Sequence, residues 1–319
     1  MESGVQKEGY IQYPPSITYA GKIEVNSTNP KASGFYNELN QAQFDGLKKF
    51  KEEIEKEKLE IDYNYYDDLY LLRFLRARKF DIAKTMIMFK KFLDWRKTEE
   101  VDKIRDTFAF EEIFEVKKYY PHSYHKTDKK GRPIYIEILS EVDVTNLFKV
   151  TTEQNMIKYY IREYERLMQR RFPACSAMVK RPIEQSLTIL DLKGIGISIV
   201  VGKIRSFVQI ASNIGQEYYP EMLGTMLLLN TNFFFNAVWA IVKAFLDPKT
   251  RDKIIFCGSS YLKYILEYAD AENVPEKIGG KCKCENIEGG CLYSDIGPWN
   301  PTGGIKVGDK NTLKSANGI

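Results

Sequence analysis

Three groups of residues in this 319-residue chain have types and spacings suited to chemistry. The first is the run Ser186-Leu-Thr-Ile-Leu-Asp-Leu192. Read as a strand, it sets Ser186, Thr188, Leu190 and Leu192 on one face, with the two hydroxyls about 7 Å apart. A face that begins polar and ends apolar suits an amphiphile, with its head at the hydroxyls and its tail toward the leucines. The plainer alternative is that both hydroxyls bond nearby backbone. The second group is cationic. Arg76, Arg78 and Lys79 end one helix and Lys253 stands at the mouth of a strand, none with a helical partner that clearly neutralises it. Arg162, Arg166 and Arg170 line another helix, but Glu163 and Glu165 balance them, and that face reads as a solvated surface. The third group is Cys282-x-Cys284…Cys291, three candidate thiolate ligands. Zinc sites favour paired C-x-x-C spacing and a fourth ligand, and the two histidines lie far away in sequence, so no metal is expected.

Other chemical signals are weaker still. Gly194-Ile-Gly196 begins like a dinucleotide fingerprint, but Ile199 stands where the third glycine belongs. No phosphate-cradling G-x-x-x-x-G-K-[ST] loop occurs. His122 and His125, three apart in a loop-like segment, suggest neither a histidine-activated nucleophile nor a two-histidine metal site. The chain therefore reads as a binding protein without catalytic residues or cofactor.

Two kinds of texture must position these groups. Residues 1–33 are rich in Pro, Gly, Ser and Asn and read as a tail, as do residues 303–319. Phe44, Leu47, Phe50 and Ile54 recur at helical spacing within a helix expected over 35–59. Asp67 and Asp68 offer N-caps to a second helix carrying Leu69, Leu72 and Leu75, and Asp81 caps a third carrying Ile82, Met86, Phe89 and Leu93. These make a small helical domain over 34–100. A second domain follows over 101–302, in which a linking helix over 110–119 precedes strands that alternate with helices. Strands are expected at 132–139, 186–192, 226–229 and 253–257, with helices at 152–171 and 200–214, an α/β pattern with a largely parallel sheet.

One further segment stands out. Residues 233–246 read FFFNAVWAIVKAFL, where only Asn236 and Lys243 are polar. At about 1.5 Å per residue it is too short to cross a hydrocarbon core of about 30 Å. It shows no single clean apolar face either, so it is buried core or the cover of something greasy. Composition is ordinary for a globular protein, 44% hydrophobic and 28% charged, and the net charge of +4 is compatible with weak attraction to anionic lipid but not with a nucleic-acid partner. Five cysteines, with no apparent signal peptide, myristoylation glycine or prenylation box, lead us to expect reduced thiols, a cytoplasmic location and only reversible membrane contact.

The segments LLRFLRARKFDIAK (71–84), YHKTDKKGRPIYIE (124–137), TILDLKGIGIS (188–198), YYPEMLG (218–224), FLDPKTRDKI (245–254) and GGCLYSDIGPWN (289–300), taken in order, resemble the CRAL-TRIO lipid-binding family. Within it, the resemblance is strongest to fungal phosphatidylinositol/phosphatidylcholine transfer proteins of the secretory pathway. It implies a helical N-terminal domain packed on a domain whose mixed, largely parallel sheet floors a phospholipid cavity. It also implies a gating helix at 233–246, with Phe233, Phe234, Trp239 and Phe245, and a hinge at Gly279-Gly280. A phosphatidylinositol head group would be held by Arg78, Lys79, Glu221, Thr250 and Lys253. Phosphatidylcholine would be held by Ser186, Thr188, Tyr124 and Tyr135. Arg and Lys suit phosphate, Glu can accept from inositol hydroxyls, and tyrosine faces suit a quaternary ammonium. The partners implied are a phospholipid, a transient Golgi or endosomal membrane surface and a phosphatidylinositol 4-kinase. Ser123 departs from the pattern, standing in place of a second tyrosine, and Leu167-Met168 replaces a pair of valines on a cavity-lining helix. Rival readings keep the fold but carry a sterol, retinoid or tocopherol, or make it a non-exchanging scaffold. The cluster of Arg78, Lys79 and Lys253 argues against an uncharged ligand.

Overall fold

The computed structural model describes residues 23–194, 203–233 and 235–304, without the side chains of 203–208 and Phe245. Phe234, Gly196, Ile199 and most of the two tails lie outside the described residues. Helix α1 (Gln41–Lys56) starts later than its hydrophobic spacing suggests, because Asn40 and Gln43 form a capping box. Asp67 caps α2 (Asp68–Ala77) and Asp81 caps α3 (Ile82–Thr98), as their spacing predicts. Their apolar faces meet in one core that includes Phe50, Leu72, Phe74, Leu75, Phe89 and Phe92.

The chain continues through α4 (Val101–Thr107) and α5 (Ile113–Tyr119) into a five-stranded sheet. Its strands are β1 (His122–Thr127), β2 (Pro133–Ile138), β3 (Ser186–Asp191), β4 (Leu223–Leu229) and β5 (Ile254–Gly258), arranged in that order. β1 runs antiparallel to β2, and the other pairs are parallel. His122 and His125 therefore belong to an edge strand, not to a loop. The polar sequence His-Ser-Tyr-His-Lys-Thr hides the alternation that marks a strand.

Between the strands run α6 (Val144–Val150), α7 (Glu153–Arg166), α8 (Phe172–Val179), α9 (Lys203–Glu217), α10 (Phe235–Val242) and α11 (Pro248–Asp252), with α12 (Leu262–Tyr268) after β5. The helix expected over 152–171 is α7 continued by a π-helical stretch, Leu167–Arg171, that leads directly into α8. Parallel strands in sequential order, joined by right-handed crossovers, place those connections on one side of the sheet. The other side is an apolar core. Ile134, Ile136, Leu187, Ile189, Leu227 and Leu229 pack there with Ile265 and Ala269 around α12.

The arginines and glutamates of α7 are not a solvated face. Arg162 is buried, and Glu165 is fully buried. Glu165 accepts from Arg96 of α3 at 2.7 Å and from the hydroxyls of Tyr65 and Tyr219 at 2.6 Å each. Similarly, Arg76 donates to Glu184 at 2.8 Å. Each buried carboxylate ties the helical domain to the sheet domain. Breaking one partner of such a pair leaves an uncompensated charge, so both joints fix the geometry between the two units.

Candidate functional site

On the crossover side the sheet and helices enclose a cavity of about 920 Å³. Strand alternation selects what enters it. From β3 come Ser186, Thr188 and Leu190, followed by Leu192; β2 contributes Tyr135 and Glu137, β4 contributes Met226 and Leu228, and β1 contributes His122 and Tyr124. Register turns this into a gradient across the sheet. One row reads Tyr124, Tyr135, Thr188, Met226 and Ile254, polar at the β1 edge and hydrocarbon at the β5 edge. The next reads His122, Glu137, Leu190, Leu228 and Phe256.

The apolar end is roofed by α10. Phe235 and Val238 are buried, and with Trp239 and Val242 they recur at i, i+3, i+4 and i+7 toward the cavity. Trp239 meets Phe256 edge-on with ring centres 5.1 Å apart. Asn236, Ala237, Ala240 and Lys243 look outward. Within α10 the residues therefore present one apolar face after all, hidden in sequence because Ala237 and Ala240 stand on the opposite side. Phe233 is 84% exposed and does not line the cavity.

Arg78, Lys79, Glu221, Thr250 and Lys253 all border this same cavity. They come from the end of α2, the approach to β4, and α11 with the residue after it. Glu221 lies 3.1 Å from Lys253 Nζ and 3.4 Å from Lys249 Nζ. Burial raises the pKa of Glu221, but the two ammoniums outweigh it and hold the carboxyl below its ordinary range. Arg78 faces Glu217 at 3.8 Å. The Thr250 hydroxyl donates to Asp247 at 2.7 Å, so its oxygen is left to accept. Lys249, which sequence reasoning missed, lines the cavity and donates to the Arg76 carbonyl at 2.7 Å. No pattern distinguishes it in sequence from Lys253.

Ser186, Thr188, Tyr124 and Tyr135 also converge on the cavity. The two tyrosine rings are 5.1 Å apart. Arg171 stacks on Tyr124 at 3.9 Å, taking one ring face. The Ser186 hydroxyl is 3.4 Å from the Met222 carbonyl, at the weak end for a hydrogen bond. Beside them lies a group the sequence reading passed over, Glu137, which accepts from the hydroxyls of Tyr120 at 2.7 Å and Tyr135 at 3.2 Å. Burial pushes its carboxyl up to about 7, against those hydrogen bonds, which favour the charged form. His122 engages Tyr120 and Tyr159 through its two ring nitrogens, and burial lowers its pKa to about 3.

Gly279 adopts φ +87°, the left-handed region that a glycine enters freely. A Cβ on Gly280 would sit 2.0 Å from the Val274 carbonyl oxygen. Both positions require glycine.

A helical unit joined to a mixed sheet, with an internal chamber that grades from polar to hydrocarbon, defines a class of protein that encloses an amphiphile. Comparison with known proteins agrees. Residues 117–280 match the CRAL/TRIO domain, and residues 46–91 match the CRAL/TRIO N-terminal domain. The chain is 47% identical over 299 residues to the SEC14 cytosolic factor of Kluyveromyces lactis, covering 92% of this chain and 94% of that one. It is 42% identical over 277 residues to the Sec14 cytosolic factor of Schizosaccharomyces pombe, covering 86% and 93%. It is also 44% identical over 243 residues to the phosphatidylinositol/phosphatidylcholine transfer protein SFH7 of Arabidopsis thaliana, covering 76% of this chain and 44% of that protein. The crystal structure of Sfh5 shares the fold, with a TM-score of 0.56 at 18% identity over 76% of this chain and 88% of that one. The chain belongs to the CRAL/TRIO family.

Proposed function

We propose that the protein is a phospholipid carrier, not an enzyme, that exchanges phosphatidylinositol for phosphatidylcholine at membranes and presents phosphatidylinositol to a lipid kinase of the phosphatidylinositol 4-kinase type. In this reading Arg78, Lys79, Glu221, Thr250 and Lys253 hold the inositol phosphate head, and Lys249 joins them. Ser186, Thr188, Tyr124 and Tyr135 hold the choline phosphate head. The observation that carries the reading is that all nine head-group candidates border one cavity that also has a hydrocarbon wall, made by Leu190, Leu192, Met226, Leu228 and the inward face of α10. The name of the Arabidopsis relative pairs the same two lipids.

Magnitudes favour a closed carrier. Two acyl chains of about fifteen CH₂ groups each, at about 0.8 kcal/mol per CH₂, cost roughly 24 kcal/mol to hold in water. An apolar chamber offsets that cost only while α10 covers it. Swinging the inward face of α10 into water would bare Phe235, Val238, Trp239 and Val242, at about 1.5–3 kcal/mol per fully exposed side chain. Opening therefore belongs at a bilayer, Golgi or endosomal, where that face enters lipid. Gly279 and Gly280 serve as the hinge, within a lipid-binding domain spanning 101–302 and beside a helical domain spanning 34–100.

Native mass spectrometry of the purified chain, paired with transfer of labelled lipids between vesicles, tests this reading. The expected result is one phosphatidylinositol or phosphatidylcholine per chain, each displacing the other. A copurifying sterol or retinoid with transfer of neither phospholipid would refute it.

A further inference from the structure

On the face of the sheet edge turned away from the lipid cavity, His125 of β1 meets all three cysteines of the segment that follows Gly279-Gly280. The ligand atoms of His125, Cys282, Cys284 and Cys291 all lie within 4.8 Å of one another. We propose that these four residues form a tetrahedral zinc site that clamps the post-hinge segment to β1.

Donor type, spacing and orientation support it. Three thiolates and one imidazole are a soft set that selects zinc in tetrahedral geometry. Zn–S bonds of about 2.3 Å place two sulfurs of a tetrahedron about 3.8 Å apart. Cys282 Sγ and Cys284 Sγ are 3.6 Å apart. Residues two apart in an extended chain are separated by about 7 Å. Here Cys284 holds φ +52°, a left-handed conformation uncommon for a residue other than glycine. The imidazole is aimed as a ligand should be. His125 is fully buried, its Nδ1 is 2.9 Å from Ser294 Oγ, and its Nε2 is buried with no hydrogen-bond partner. A histidine that ligates zinc through one nitrogen is normally oriented by a hydrogen bond at the other. Ser294 is itself fixed, donating to the Cys291 carbonyl at 2.8 Å.

The consequence is mechanical. Cys282 pairs with Pro275 across the turn that contains the two glycines, its N–H donating to the Val274 carbonyl at 2.9 Å. A zinc ion would fix the downstream end of that turn to the sheet while leaving the glycines themselves unligated. The site lies outside the lipid cavity, so it stands or falls independently of which lipid is carried.

The full-length chain, purified under reducing conditions without chelator, should contain about one zinc per molecule by elemental mass spectrometry. After chelation, Co²⁺ alone should restore a stoichiometric complex with the intense visible bands of a tetrahedral thiolate site, and Zn²⁺ should displace it. Cys284→Ser should lose that spectrum. Ser294→Ala, which leaves all four ligands in place, should weaken zinc binding about 10- to 100-fold. Two results would overturn the proposal. One is protein that carries no zinc and takes up neither ion while Cys282, Cys284 and Cys291 are all reduced. The other is a Cys282–Cys284 disulfide that persists under the same reducing conditions.

Discussion

Lys253→Ala separates the two head-group ends most sharply. Lys253 stands between α11 and β5 with its ammonium 3.1 Å from Glu221, and both side chains border the cavity. The substitution keeps the Lys253 carbonyl that accepts from the Met226 N–H at 2.8 Å, so the start of the β4–β5 pairing is retained. It also leaves Glu221 the Lys249 ammonium at 3.4 Å. The cost to the fold should therefore be that of a partly exposed ion pair, about 1 kcal/mol or less. The cost to a bound inositol phosphate is larger, since a charged hydrogen bond contributes about 1.5–3 kcal/mol, roughly a ten- to hundredfold loss of affinity. Vesicle transfer assays with each labelled lipid should show phosphatidylinositol transfer falling by that order while phosphatidylcholine transfer holds. Acid titration gives a second readout. Glu221 has a folded pKa depressed below its unfolded value, so it adds stability above the unfolded value and loses it as pH falls through the folded one. Without Lys253 the depression shrinks, and less stability should be lost on acidification. Unchanged phosphatidylinositol transfer, or equal loss of both lipids in a folded variant, would refute the assignment.

Ser186→Ile with Thr188→Ile should impair phosphatidylcholine transfer and spare phosphatidylinositol transfer; equal losses in a folded protein would show a single shared site. On the lid, Phe233→Asp, at a position 84% exposed, should leave the melting temperature near normal yet lower transfer if this end of the lid meets the bilayer. Val238→Asp, buried under the roof, should instead cost several kcal/mol of stability, measurable by denaturant unfolding. Glu137 sets a pH dependence of opposite sign to Glu221. With its folded pKa raised to about 7, the lipid-free protein should lose stability as pH rises from about 4.5 to about 7, and Glu137→Gln should flatten that slope.

How far the molecule is legible in its sequence depends on whether a signal is local. The caps at Asp67 and Asp81 act over three residues and can be read directly. The face Ser186, Thr188, Leu190 and Leu192 is equally local, since alternation alone sends all four to the cavity. β1 fails that test. Its side chains are polar on both faces because one borders the cavity and the other meets the cysteine segment, so no hydrophobic alternation marks it. Arg162 and Glu165 looked solvated because the groups that surround them, Phe108, Arg96, Tyr65 and Tyr219, come from distant parts of the chain. The fourth partner of the cysteine cluster was hidden for the same reason. His125 is brought there by the antiparallel edge strand, and spacing along the chain carries no trace of it.

The shared cavity constrains how exchange would proceed. The cationic cluster around Glu221 and the tyrosine and hydroxyl cluster on β1 to β3 open into the same chamber of about 920 Å³. That is near the upper end of about 300–1,000 Å³ for pockets that hold one ligand. Two phospholipids cannot share it, because both need the hydrocarbon wall formed by Leu190, Met226, Leu228 and α10. If both clusters read head groups, occupancy of one excludes the other through the acyl chains, with no coupling between the polar sites required. Competition then follows from volume alone. Variants at Lys253 or at Ser186 and Thr188 should shift which lipid occupies the protein without creating a doubly loaded state. A chain that binds one molecule of each lipid together would contradict the shared cavity.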